Sequence, residues 1–509
     1  MVESSMGRRA PPSTVPGDIA PWLVPGLVLL VLVPRAYLAV TDQGLFWADE
    51  IFQSLEQGHR LAFGYGLIPW EFQEGARSWL FAGVLGGVMK LAWLCGARSG
   101  MALALVGKLL MAACSALAFY PALRLARSLG GAAAAVLVAL VGLCFPTALL
   151  FGSRALGEVV SAVLIAWAAW LTLDPARDAR RGRDCGLAGL LVGLAVFVRY
   201  QSGLVLLALA LLLLVQRQWR GVWRFALAAG LVAIAGGALD WLTWGRPFQS
   251  LLLYLRYNLV EGQAAQWGTA PASFFLRTAW QSTGWALVPL GIGLLCGIHR
   301  TWRLVLVLSV FVLAHSLVPH KEFRFLVPVM PLFFVTVGVG LAVLVERLAP
   351  ARGRVWVAAG LGTSLAFVMA WRSSQLTFAD LGQEMDADLD VSAGPPSAWH
   401  AFEGVNRLLA RAGQQPDLCG VATAGVNAYW TGGYTYLHRR VPLLWQAGAT
   451  ELAAANYLIV GPPGDLRPPG YGPIDQDRGY RLLKRAGGCR PPVGAVQRYD
   501  RLRPGGIAP

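Results

Sequence analysis

Charge is scarce in this chain: 14% of the residues are Asp, Glu, Lys or Arg, against about 25% in soluble domains. That scarcity excludes an ordinary soluble globular protein. Metal-binding cysteine patterns are also missing. Seven cysteines are present, with no CxxC and no Cys/His metal spacing, which speaks against a structural zinc module. Cys95, Cys114, Cys144, Cys185 and Cys296 lie in or beside apolar runs and read as small buried apolar residues. Cys419 and Cys489 lie in the polar C-terminal part, and the sequence leaves open whether they pair. No phosphate-binding Gly-rich loop and no internal repeat is evident. Residues 1–20 contain no apolar core of a cleavable leader, so the run at 21–40 is expected to be a retained first span.

What the chain has is apolar sequence: 56% hydrophobic residues over 509 positions, with a mean hydropathy of +0.53. Apolar runs close to the ~20 residues needed to cross a bilayer recur from residue 21 to residue 372. They centre on 21–40, 101–121, 132–151, 155–173, 184–199, 201–216, 225–243, 283–298, 303–319, 325–346 and 354–372. The net charge of +15 does not point to nucleic acid. Much of it sits in short loops between the runs: Arg124 and Arg127, Arg177 to Arg183, Arg217 to Arg224, Arg300 and Arg303, Arg347 to Arg354. Arg8 and Arg9 join them on one side, the cytoplasmic side by the positive-inside rule. This parity requires that 77–97, with Gly83, Gly86, Gly87 and Lys90, be a juxtamembrane or re-entrant helix.

The expected organisation is an N-terminal tail (1–20), an all-α membrane domain of about 11 transmembrane helices (21–372) and a small α/β extracytoplasmic domain (373–509). Outer loops fall at 41–100 and 244–282. In the C-terminal part, "GVATAG", "PLLW" and "NYLIVGPPG" have strand length, and "AWHAFEGVNRLLARAG" has helical periodicity with Gly413 as its C-cap. The Pro/Gly-rich stretches 461–473 and 503–509 read as loop and tail.

Unusual polar residues collect on the outer face. In "FWADEIFQSLEQGH", Asp49, Glu50, Gln53 and Glu56 fall near one face of a helix. Acids there suit a helix start in water and equally suit removal of a proton from an attacking hydroxyl. In "IPWEFQEGARSW", Glu71, Glu74 and Arg77 lie between Trp70 and Trp79, as an interfacial belt or a polar wall for a glycan. Lys108, Arg154, Glu158, Arg199 and Asp240 are single charges near the outer ends of spans. Such residues are costly in a membrane and usually face a bundle interior or cavity. Arg154 and Glu158 also have the spacing of a simple ion pair. In "VPHKEFRFLVPVMP", His320, Lys321 and Arg324 form a cationic corner between Pro319 and Pro328. Lipid headgroup anchoring explains one or two of these, and an anion site for a lipid phosphate explains the group better.

These segments resemble glycosyltransferase family 22, polytopic mannosyltransferases of the GT-C superfamily. "HKEFRFLVPVMP" is similar to that family's His-Lys-Glu-x-Arg-Phe signature, and "WADEIFQSLE" to its first-loop pattern. Trp47-Ala48 stands where the family usually has His-Pro. "PWEFQEGARSW" matches a third segment, and "SRALGE" is a degraded match lacking an Asn. "LDWLTWGRPFQSLLLYLRYNLVEGQAAQWG" retains Asp240, Asn258, Gly262 and Gly268, and the likeness covers about residues 20–345.

The resemblance implies an inverting transferase that takes mannose from a polyprenyl-phosphate carrier. Asp49 would be the general base, with Glu50 sharing that role or orienting the acceptor. His320, Lys321 and Arg324 would hold the lipid phosphate, with Arg199 and Lys108 behind them. Gln53, Glu56, Trp70, Glu71, Arg77, Arg154, Glu158, Asp240, Asn258 and Glu322 would meet the acceptor or sugar. No metal or other cofactor is implied, although the Asp49/Glu50 pair leaves room for a divalent ion. The expected partners are a polyprenyl-phosphate sugar, a lipid-linked or envelope glycan and membrane lipid, with no nucleic acid. The Ala-, Gly-, Leu- and Arg-rich composition leans towards a bacterial plasma membrane. The alternatives are a GT-C enzyme using arabinose or glucose, and a lipid-linked sugar flippase.

Overall fold

The computed structural model describes residues 21–383, 397–427, 431–445, 448–462, 464 and 466–490. The N-terminal tail and the stretch 503–509 lie outside the described residues.

Among the described residues, six helical stretches are long and apolar enough to cross a membrane. Four are simple: Leu23–Thr41, Trp219–Trp244, Phe323–Leu348 and Arg354–Ser374. The other two, Gly100–Cys144 and Phe274–Leu317, have 45 and 44 residues. A straight helix of that length would run to ~65 Å, about twice the ~30 Å hydrocarbon core. Both are interrupted. Gly130 and Gly131 leave helical geometry, with Gly131 at a φ of 70° that a residue with a side chain rarely adopts. Thr301 breaks the second within Leu287–Leu317. Shorter apolar helices, Gly157–Leu173, Arg181–Val198 and Gly203–Val215, complete the bundle. Helix Met330–Leu348 is buried along most of its length, which makes it the bundle's central element.

The segment at 77–97 forms helix Leu80–Leu94. Its fifteen residues span ~22 Å, short of the hydrocarbon core. It crosses helix Glu56–Phe63 where Gly86 meets Gly58. A methyl group on Gly86 would stand 2.7 Å from the Gly58 carbonyl, so only glycine permits this approach.

The C-terminal part carries a five-stranded sheet in the order β2-β1-β3-β5-β4. The strands are β1 (Val421–Ala424), β2 (Leu443–Leu444), β3 (Tyr457–Val460), β4 (Tyr471–Asp477) and β5 (Tyr480–Arg485). β1 pairs in parallel with β2 and β3, and β5 runs antiparallel to β3 and β4. The expected strands at 421, 443 and 457 are present. Much of the 461–473 stretch is loop, but its last residues enter β4. The β4–β5 hairpin turns at Arg478-Gly479, both at positive φ, as tight two-residue hairpins require. Gly413 is not a left-handed cap, because helix Glu403–Gly413 runs through it. Its missing side chain instead admits the Leu437 carbonyl, 2.0 Å from where a methyl would stand. Cys419 and Cys489 form a disulfide, tying the entrance of β1 to the chain after β5.

The sheet domain docks on the loop after the first helix through buried polar contacts. Gln43 donates its backbone N–H to Glu403 and accepts from Tyr436. Asn406 donates to the Gln43 carbonyl. Thr435 donates through both its backbone N–H and its hydroxyl to Glu56, at 2.6 Å each.

Candidate active site

The chain after the first helix forms three consecutive short helical pieces, Ala48–Glu50, Ile51–Leu55 and Glu56–Phe63. The middle piece is a π-turn. A π-turn adds a residue to the helical repeat and re-aims the side chains around it. The four polar residues expected on one face are therefore split. Asp49 and Gln53 share a face and are joined by a 2.7 Å hydrogen bond from the Gln53 amide. Glu50 and Glu56 are fully buried elsewhere.

Asp49 and Gln53 line a cavity of about 830 Å³, a size suited to a small-molecule site. Trp70, Glu71 and Arg77 form a second part of its wall. Arg199, Asn258, His320, Lys321, Glu322 and Arg324 complete the expected lining.

Arg324 is at the centre of the polar contacts. It lies on the 3₁₀ turn Phe323–Val329, just before helix Met330–Leu348. Its guanidinium donates to Asp49 at 2.7 Å, to Glu158 at 2.8 Å and to both oxygens of Glu322 at 2.7 and 2.8 Å. Arg199 pairs with Glu158 at 2.9 Å and approaches Asp49 at 3.6 Å. Both guanidiniums lie over the Phe325 ring, at 5.3 and 5.2 Å. Burial opposes ionisation of Asp49, but Arg324, Arg77 and Arg199 override it and hold the carboxyl below its ordinary value. Glu322 is likewise pulled down against burial, by Arg324 and His320.

His320 meets an acceptor on each ring nitrogen: the Gly268 carbonyl at 2.9 Å and Glu322 at 3.3 Å. Two acceptors call for two N–H groups, hence an imidazolium. Burial disfavours that charge, but the bonds to Glu322 and Gly268 raise the His320 pKa above its ordinary value. Lys321 donates to the carbonyls of Ala270 and Pro319, at 2.6 and 3.4 Å, so it braces the loop as well as facing the cavity. Gln53 also donates to Glu71 at 2.9 Å, bridging two carboxyl groups. Burial raises the Glu71 pKa.

Six expected site residues stand elsewhere. Glu50 does not line the cavity. It accepts from the Ala155 backbone at 3.3 Å and pairs with Arg154 at 3.6 Å. Arg154 reaches Asp42 at 3.0 Å and the Gly44 carbonyl, while Lys108 donates to the Asp42 carbonyl. Glu50, Arg154 and Lys108 thus form one buried cluster behind the loop, and the Arg154–Glu158 ion pair that their spacing allows is not formed. Glu56 is a docking residue for the sheet domain. Asp240 is buried, accepting from the Ser250 backbone at 2.9 Å and its hydroxyl at 2.5 Å, and anchors the wall that carries Tyr254 and Tyr257. Glu158 is 1% exposed and supports Arg199 and Arg324 from behind, beside a small adjoining cavity. In each case the residue type was right for a site, but sequence spacing does not tell which way a side chain turns.

Tyr254, Tyr257, Trp267 and Phe325 line the cavity and were not singled out from sequence. The Trp70 and Tyr257 rings stand 4.7 Å apart. Tyr257 and Trp267 lie in a segment already rich in aromatic residues, and Phe325 lies inside the "HKEFRF" motif, so a signal was present.

Asp42, His400 and Glu403 bring ligand-type atoms within 4.8 Å of one another. Their oxygens are already engaged: Asp42 accepts from Gly44 and Arg154, and Glu403 accepts from Gln43, meets His400 and forms ion pairs with Arg407 and Arg478. With three guanidiniums around it, this cluster fits a docking ion-pair network and not a cation site.

The model of the Alg9-like mannosyltransferase family matches residues 27–388. The GPI mannosyltransferase 3 of Yarrowia lipolytica (strain CLIB 122 / E 150) is 31% identical over 311 residues, covering 60% of each chain. The GPI alpha-1,2-mannosyltransferase 3 of Mus musculus is 28% identical over 320 residues, covering 62% of this chain and 58% of that one. The chain thus spans about 60% of the length of these relatives. Among solved structures, ArnT from Cupriavidus metallidurans bound to undecaprenyl phosphate superposes with a TM-score of 0.57 at 14% identity, over 92% of this chain and 98% of that one. That likeness shows the GT-C fold. The matched region contains the acids flanking the π-turn, the Arg324 corner and the cavity between them, and on this match the chain belongs to the Alg9-like mannosyltransferase family.

Proposed function

We propose that this protein is an inverting mannosyltransferase. It moves a mannosyl residue from a polyprenyl-phosphate carrier to a hydroxyl of a lipid-linked or cell-envelope glycan, on the outer face of a bacterial plasma membrane. The observation that carries the reading is a carboxylate, Asp49, facing a cation-lined cavity with Arg324 at its side. The names of the relatives support mannose as the sugar. The lipid bound to the structural neighbour supports a polyprenyl phosphate as the carrier.

In this mechanism Asp49 accepts the acceptor's hydroxyl proton as its oxygen attacks the anomeric carbon. The bond from that carbon to the phosphate oxygen breaks, leaving the electron pair on the lipid phosphate. Arg324, Arg199 and His320 stabilise the developing charge. Attack opposite the leaving group turns a β-linked donor into an α-mannoside. Trp70, Tyr257 and Trp267 offer ring faces for sugar, and Gln53 and Asn258 offer amides. The chemistry assigned to these residues needs no metal.

The test is a donor panel. Purified protein in nanodiscs is given labelled polyprenyl-phosphate mannose, glucose or arabinose with extracted envelope glycolipids. Transfer from the mannose donor, with an α-linked product, is the expected result. Transfer from another donor alone would replace the sugar. Lipid binding without transfer from any donor would overturn the enzyme reading.

A further inference from the structure

The Arg324 corner is already full. Two guanidiniums, Arg199 and Arg324, face three carboxylates, Asp49, Glu158 and Glu322. Counting His320 as an imidazolium, the charges within this cluster balance, while Lys321 and Arg77 add positive charge to the cavity wall beside it. An anion that bonds Arg324 must therefore compete with a carboxylate already there.

The geometry shows which carboxylate yields. The Glu158 side chain is 1% exposed and held by both guanidiniums. Glu322 meets Arg324 through both its oxygens and is also held by His320. Asp49 touches Arg324 through a single oxygen, on the same nitrogen that serves Glu158, and its side chain is 21% exposed to the cavity. It is the most exposed and the least firmly held of the three.

Building on the mannosyltransferase reading, we propose that the donor phosphate displaces the Asp49 carboxylate from Arg324, so that seating the donor releases the base. Before the donor enters, Asp49 is tied to a guanidinium and is a weak acceptor for a hydroxyl proton. Once the phosphate occupies Arg324, Asp49 keeps its hydrogen bond from Gln53 and turns its free oxygen to the acceptor. The proton then passes to Asp49, and the leaving electron pair rests on a phosphate oxygen facing the guanidinium that Asp49 vacated. The lipid phosphate gains a second negative charge at that moment, which Arg324 is then placed to meet. An acceptor arriving alone finds no active base, so donor binding precedes acceptor activation.

Competition for one guanidinium has a thermodynamic signature, because removal of the competitor must strengthen the ligand. The experiment measures equilibrium binding of undecaprenyl phosphate to the full chain in nanodiscs. Wild type is compared with Asp49→Ala, Asp49→Asn and Asp49→Glu. Asp49→Ala is expected to bind at least about 5-fold more tightly, the lower end of ordinary coupling between sites. Asp49→Asn should tighten binding less, since its amide oxygen can still accept from Arg324, and Asp49→Glu should restore competition. Unchanged or weaker binding in both Asp49→Ala and Asp49→Asn, with wild type binding normally, would overturn the displacement while leaving the transferase reading intact. Failure of wild type to bind undecaprenyl phosphate would overturn the lipid-phosphate donor, and the displacement with it.

Discussion

Asp49 and Arg324 stand 275 residues apart in the chain and share a 2.7 Å contact. A guanidinium serving three carboxylates is a structural necessity before it is a substrate ligand. Its removal leaves the buried Glu158 with Arg199 alone and the partly buried Glu322 with His320 alone. Arg324→Ala is therefore expected to cost about 3–5 kcal/mol in stability, along with lipid-phosphate binding, measured by thermal unfolding and by equilibrium binding. Arg324→Lys should recover part of the stability and little of the binding, because an ammonium cannot match the two-pronged contact with Glu322. His320 gives a pH prediction. Its folded pKa is raised, so its favourable contribution is fully present below the ordinary value of 6.5 and is lost as pH rises through the raised value. Transfer rate should fall over that alkaline limb, and His320→Gln should remove the limb. The "HKEFRF" residues were legible in the sequence because several polar groups between two apolar runs have few uses. Glu50, Lys108 and Arg154 were misplaced because an acid or base next to a site looks the same as one inside it.

The helical piece Glu56–Phe63 docks the sheet domain, and its buried titratable groups make that docking pH-sensitive. Burial lifts the Glu56 carboxyl to about 7, against the hydrogen bonds from Thr435. Burial and the facing His438 push His59 down to about 3. The signs oppose each other. Glu56 favours folding at low pH, and that contribution is lost as pH rises from 4.5 through 7. His59 favours folding at high pH, and that contribution is lost as pH falls from 6.5 towards 3. The two contributions cancel where they overlap, so the thermal midpoint should be greatest on a plateau from about pH 4.5 to 6.5, and Glu56→Gln should replace it with a rise that continues to about pH 6.5 and no fall above it. At the crossing of Glu56–Phe63 with Leu80–Leu94, Gly86→Val should lower stability by about 1–3 kcal/mol through overpacking, read by thermal unfolding. Strands β1 to β3 were legible as short apolar runs. The β4–β5 hairpin was only partly legible, because residues 474–476 of β4 are partly or fully exposed and its first residues continue a Pro/Gly-rich stretch.

Over the whole molecule, the long apolar helices carry a site built where their loops gather, with a sheet domain packed beside it. Hydropathy and the basic loops made the membrane class and the helical architecture legible. They could not convey how the 320–324 corner meets the loop after the first helix, since that contact depends on helix packing across hundreds of residues. The central claim is that Asp49 is the base facing the lipid phosphate. Its most direct test is mannosyl transfer from labelled polyprenyl-phosphate mannose by wild type and Asp49→Asn, with donor binding measured on the same samples. The account predicts a fall in transfer of about 10²–10⁴-fold, with donor binding kept or strengthened. Transfer by Asp49→Asn at the wild-type rate would contradict it.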